Sequence, residues 1–156
     1  MGVLTGLDRV PAGEARPLAR APERLEILFG YREGELGFER GPHCGLDKSW
    51  KELVPLLSST GFDHAARELD SYREIPDFDG GGWARYLNRE DVREVSAALD
   101  AVDLAQVRAK RDVARGWDGP LGDSGLFEYA VSYLEETIAF FRAAAEAGDA
   151  IFLHSA

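Results

Sequence analysis

The chain has 156 residues, 45% of them hydrophobic, and a formal charge of −10 at pH 7; that is enough apolar material for one packed domain, which excludes a disordered chain. Its single cysteine, Cys44, excludes an internal disulfide framework and a cysteine-rich zinc site. The negative balance opposes a phosphate backbone and excludes generic nucleic-acid binding. No apolar run approaches the roughly 18 residues of a membrane span, and no basic start leads into a long apolar stretch, so the reading is no membrane partner and a cytoplasmic location.

Residues 2–9 read as a short strand that Pro11 ends, because proline has no N–H to donate to a ladder. Two short helices are expected at 12–20 and 22–30, separated by Pro22. From Gly30 to Gly45 the glycines and Pro42 break every period, which predicts a loop or a ragged hairpin. Asp47 then reads as an N-cap, and Leu46, Trp50, Leu53, Val54 and Leu57 recur at helical spacing. Pro55 falls inside that helix and predicts a kink or an early end.

Residues 61–82 allow a short helix at 63–72, after which Pro76 and Gly80-Gly81-Gly82 predict a mobile loop. Trp83 to Leu87 is extended. Asn88 with Asp91 forms a capping box for a helix whose buried stripe is Val92, Val95 and Leu99. Asp103 with Gln106 repeats the pattern and starts a helix over 104–114. Ser124 caps the longest periodic run, in which Phe127, Ala130, Val131, Leu134, Ile138, Phe141 and Ala145 share a face and Gly148 is the stop. Ala150 to His154 is a short apolar strand. The fold class that follows is α+β: a helix-rich single domain, spanning residues 1–156, with a small sheet that includes the N- and C-terminal strands.

Several motifs suggest chemistry that their setting refuses. Gly122-Asp123-Ser124-Gly125 resembles a serine-nucleophile motif, but Ser124 precedes a long helix, where its hydroxyl serves as a cap. Asp77-Phe78-Asp79-Gly80 opens like a calcium loop, yet Gly81 and Asn88 stand where oxygen donors are required. His43, Cys44 and Asp47 are metal-compatible donors without zinc-site spacing. No catalytic residue, metal or cofactor is therefore assigned. Trp83 and Arg85 share one face of an extended segment beside Tyr86, and Trp, Tyr and Arg are the residue types enriched at binding hot spots, against the competing reading in which the two aromatics pack into the core.

Leu46-Asp47-Lys48-Ser49-Trp50 followed by Leu53 and Leu57, Arg85-Tyr86-Leu87 leading to Val92 and Val95, Trp117, and the stretch from Tyr133 to Leu153 together resemble the YfbM-like family of bacterial domains of unknown function. The resemblance implies a small α+β fold and a bacterial cytosolic origin, and no accepted reaction, cofactor or substrate. The family commonly has a histidine directly after the leucine matching Leu53; here Val54 stands there, which removes a titratable side chain from this helix. The leading expectation is a non-catalytic module that binds a protein or a small molecule through Asp47, Trp50, Trp83, Arg85, Tyr86 and Trp117. One form of it is an immunity-type inhibitor whose acidic surface masks a basic toxin. The rivals are a small hydrolase or transferase using Asp47, His64 or His43, and an oligomerising scaffold; the sequence leaves the oligomeric state open.

Overall fold

The computed structural model describes residues 5–30, 35–39, 41–47, 50–76, 78, 82–122 and 125–155. Strand β1 (Thr5–Pro11) leads through a 3-10 turn into α1 (Ala15–Ala19) and α2 (Pro22–Leu28). Pro22 stands at the start of α2, where its missing N–H has no partner to lose. Then come β2 (His43–Asp47), α3 (Trp50–Ser59), α4 (Asp63–Leu69), β3 (Arg73–Glu74), β4 (Trp83–Leu87), α5 (Arg89–Asp100), α6 (Leu104–Ala109), the two-residue strands β5 (Arg115–Gly116) and β6 (Gly119–Pro120), α7 (Leu126–Ala147) and β7 (Asp149–Ser155). Helices predominate around a five-stranded sheet, β5 and β6 pair as a separate two-stranded one, and the fold is α+β.

The sheet has the order β2-β1-β7-β4-β3, and every neighbouring pair is antiparallel. Strand β7 therefore runs down the middle. It pairs with β1 over seven rungs, from Thr5↔Ser155 to Pro11↔Asp149, and with β4 from Trp83↔Ser155 to Leu87↔Ile151. Pro11 is tolerated inside β1 because β2 reaches only as far as Asp8, so one side of the strand end needs no donor.

Alternation along the strands supplies two apolar faces. Leu7, Leu46, Leu87, Ile151 and Leu153 face a larger core built with α3, α4, α5 and α7, where Leu53, Leu57, Leu69, Val95, Phe127 and Phe141 are fully or almost fully buried. Val10, Ala84, Ala150 and Phe152 face a smaller core closed by Leu18 of α1 and by Leu25 and Leu28 of α2. Both cores need β7.

The capping box at α5 is present as the sequence predicts: Asp91 N–H donates to the Asn88 side chain at 2.8 Å and Asn88 N–H donates to the Asp91 carboxylate at 3.1 Å. Asp103 caps α6 by accepting from Ala105 and Gln106 N–H. Gly148, at φ 72°, stops α7 in the left-handed conformation a glycine adopts without strain.

Some expectations are corrected. The stretch 30–45, predicted as a loop or a ragged hairpin, ends in β2, whose ladder is not local but on β1, which no local period announces. Leu46 accordingly belongs to a strand rather than to the α3 stripe. Asp47 ends that strand; residues 48 and 49, between it and Trp50 of α3, and with them the predicted Asp47 cap, lie outside the described residues. Helix α3 runs past Pro55 to Ser59, since fully buried Leu53, Leu56 and Leu57 hold it to the core and offset one lost hydrogen bond. Helix α6 stops at Ala109 and a separate 3-10 turn follows at Arg111–Val113. The buried end of the α7 stripe is Ala144, with Ala145 half-buried beside it. Ser124 and the loop residues Asp77, Asp79, Gly80 and Gly81 lie outside the described residues. Among the described residues, no helix is long and apolar enough to cross a membrane.

Candidate ligand-binding site

Asp8 lies in the middle of β1, faces the smaller core, and is 2% exposed. A carboxylate in that position demands partners, because burial penalises the ionised form by several kcal/mol (order of magnitude) unless charge or hydrogen bonds compensate. The register supplies them. His43 on β2 is directly opposite Asp8, and its Nδ1 lies 2.9 Å from Asp8 Oδ1. His154 on β7 is one rung pair away on the same face, with Nε2 at 3.1 Å from Asp8 Oδ2, an ion-pair distance without straight hydrogen-bond alignment. An ionised carboxylate only accepts, so the chemistry assigns the proton to Nδ1 in His43.

Burial alone would raise the Asp8 pKa; the close His154 and His43 nitrogens and the charge of both rings outweigh it and hold the carboxyl below its ordinary value of 3.8. The three side chains differ in access. His154 is buried, whereas the His43 side chain is 51% exposed and opens the cluster to solvent. The Phe29 ring stacks on His154 at 4.0 Å between centroids, and Phe78 meets Phe29 edge-on at 5.5 Å. These aromatics fix the imidazole plane from the α2 side.

The glycines of the neighbouring rung leave room for the rings. A Cβ on Gly6 would stand 2.6 Å from His43 Cε1 and 3.0 Å from His154 Nε2, and one on Gly45 would stand 3.8 Å from His43 Nε2. Strand alternation also separates His43 from Cys44, whose side chain packs against the larger core on the opposite face. Burial, with a contribution from the Glu136 charge, pushes the Cys44 thiol up to about 11. It is neither a thiolate nor a co-ligand of His43.

The residues nominated from sequence do not converge. Trp50 is a core residue, edge-on to Tyr72 at 5.3 Å. Trp83 and Arg85 do share a face, with the guanidinium 4.9 Å from the indole centroid, and Tyr86 points the other way to stack on Phe152 at 5.5 Å. Asp47 and Trp83 occupy one cross-strand row but are three strand spacings apart, roughly 14 Å. Trp117 is 68% exposed on the β5–β6 turn, where its backbone N–H donates to the Glu52 carboxylate at 2.8 Å and Lys51 lies over its ring at 5.9 Å. His64 is exposed on α4, and α4 packs into the core on the opposite side of the sheet from the His43 ring. It shares no pocket with His43.

The Asp8, His43 and His154 set was missed because its members are far apart in sequence. The available signal was polar interruption of two apolar strands expected to pair: Asp8 between Leu7 and Val10, and His154 after Ile151-Phe152-Leu153.

With EDTA present, Asp8→Asn is expected to be less stable than the wild type near neutral pH by about 1–3 kcal/mol. Because the folded Asp8 pKa is depressed, its contribution is complete above the ordinary value of 3.8 and is lost as pH falls through the lower folded value. Urea unfolding of both proteins at about pH 7 and about pH 3 measures this, and the gap between them should narrow in acid. An equal gap at both values would contradict the arrangement.

Fold and site together define an α+β domain whose antiparallel sheet buries a carboxylate between two imidazoles. Over residues 1–154 the chain matches the family model described as Domain of unknown function (DUF1877), and it belongs to that family. Among solved structures it is similar to the crystal structure of YfbM, a protein of unknown function from Escherichia coli, with 13% identity, a TM-score of 0.64, and coverage of 98% of this chain and 99% of that one. That likeness shows a shared fold and confirms the YfbM-like resemblance of the sequence. No curated protein matches the chain.

Proposed function

We propose that this chain is a non-catalytic, cytoplasmic ligand-binding domain whose recognition centre is the Asp8, His43 and His154 cluster. The observation that carries the reading is a buried carboxylate held between imidazoles from two adjoining strands, one of them open to solvent. Polar groups are expensive to bury, and a cluster of them on rigid strands beside two side-chain-free positions is the kind of preorganised polar centre that ligand pockets use. The ligand that fits is a small molecule or ion able to reach His43. A net charge of −10 and a single cysteine agree with no nucleic-acid partner and a reducing compartment.

Gly6→Ala tests this reading. The added methyl collides first with the His43 ring, which is half in solvent, and presses less on the buried His154 ring, so the fold is expected to survive while the centre is lost. A thermal-shift screen of metabolites and ions should return at least one ligand that stabilises the wild type and leaves Gly6→Ala unmoved. Ligands that stabilise both proteins equally, or no ligand for either, would reject the assignment.

A further inference from the structure

Resting on that reading of the site, we propose that Asp8, His43 and His154 bind a divalent transition-metal ion of the zinc class. One ligand atom from each of the three residues can be chosen so that all lie within 4.8 Å of one another. Tetrahedral zinc, with bonds of about 2.0–2.2 Å, needs its ligand atoms about 3.3–3.6 Å apart, so side-chain movements of about 1.5 Å or less convert the present arrangement into a coordination shell. His43, 51% exposed and at the end of β2, has the freedom to make most of that adjustment. Asp8 and His154 are fixed on the two neighbouring strands, and Phe29 restrains the His154 ring.

The donor set chooses the metal. Two imidazoles and one carboxylate suit borderline cations such as zinc, iron, cobalt or nickel, whereas calcium and magnesium require shells of oxygen. In the metal-free protein the His43 Nδ1 proton is directed at the Asp8 carboxylate, where the ion would bind; on binding, each imidazole coordinates in its neutral form with its proton on the remote nitrogen. Three protein ligands leave a further position for water or an incoming group, and the half-exposed His43 gives solvent access to the cluster. Gly6 keeps this volume open, since any Cβ there would press on both rings.

The experiment titrates EDTA-stripped full-length protein with cobalt(II), followed by its visible d–d bands, and then with zinc(II) by calorimetry. One equivalent should bind, with the intensified absorption of a four- or five-coordinate site, and zinc should displace cobalt. His43→Ala, a change at a half-exposed side chain, should keep the wild-type circular dichroism spectrum and weaken zinc binding by at least about tenfold. Gly6→Ala should do the same with all three ligands still present. Absence of a saturable cobalt spectrum, equal zinc affinity in the wild type and both variants, or equal affinity for magnesium or calcium would each overturn the proposal. The thermal-shift screen separates the two claims: an organic ligand that stabilises only the wild type while cobalt and zinc fail would keep the binding centre and reject the metal. Failure of every ligand would reject both.

Discussion

Deletion of residues 149–156 is expected to leave a chain with no cooperative unfolding transition and a far-ultraviolet spectrum of residual helix. Strand β7 lies between β1 and β4 and pairs with both, so without it the five-stranded sheet becomes two separate strand pairs, β1 with β2 and β3 with β4. Its side chains serve both faces: Ile151 and Leu153 in the larger core, Ala150 and Phe152 in the smaller, all at 0% exposure. Full burial of one Ile, one Leu and one Phe contributes roughly 5–9 kcal/mol together. Domains of this size are stable by only about 5–15 kcal/mol, so the loss alone removes most or all of the margin. Circular dichroism with urea titration measures the result. A sigmoidal transition near the wild-type midpoint would show that β1 and β4 are held by something other than β7.

Phe141→Ala is expected to destabilise the protein by about 3–5 kcal/mol, the largest effect of a single substitution proposed for this chain. Phe141 is fully buried on α7, a 22-residue helix that packs against α5 and the sheet, and it belongs to the same core as Val95, Leu99 and Leu153. Close packing around a 0% exposed aromatic leaves little room for the backbone to collapse into the cavity, so both transfer and cavity penalties apply. Trp117→Ala is the control: a larger aromatic is removed, but from a side chain that is mostly in solvent, and the change should stay within about 0.5 kcal/mol. Guanidinium unfolding compares them. If Trp117→Ala costs as much as Phe141→Ala, the burial difference between the two does not govern stability here.

What the sequence made legible followed from local physics. The α5 box is written in Asn88 and Asp91, the stop of α7 in Gly148, and the inward face of α7 in the spacing from Phe127 to Phe141. Each requires only neighbours within two turns. Strand β2 was hidden because its ladder comes from β1, more than thirty residues earlier, and its own sequence, His-Cys-Gly-Leu-Asp, alternates weakly. The site was hidden for the same reason in stronger form. His43 was weighed against Cys44 and Asp47, its neighbours in sequence, although in a strand the next residue points to the opposite face. The aromatic candidates failed to converge because aromatic residues are enriched in cores as well as in binding surfaces, and Trp50 and Tyr86 took the first role.

The position of β7 also sets an order of events during folding. Arg9 and Asp149, 140 residues apart, meet at 2.9 Å, and the central pairing of the sheet has comparable separation along the chain. Such non-local contacts are slow to form, because loop closure precedes any gain from pairing. A nascent chain carries β1 and β4 with open edges until β7 has been synthesised, and open edges invite pairing with other chains. Helices α3, α4, α5 and α7 can assemble from contacts closer in sequence, so the long wait falls on the sheet. Refolding yield should therefore fall with protein concentration, and chaperones that shield strand edges should matter more to this chain than those that shelter helices.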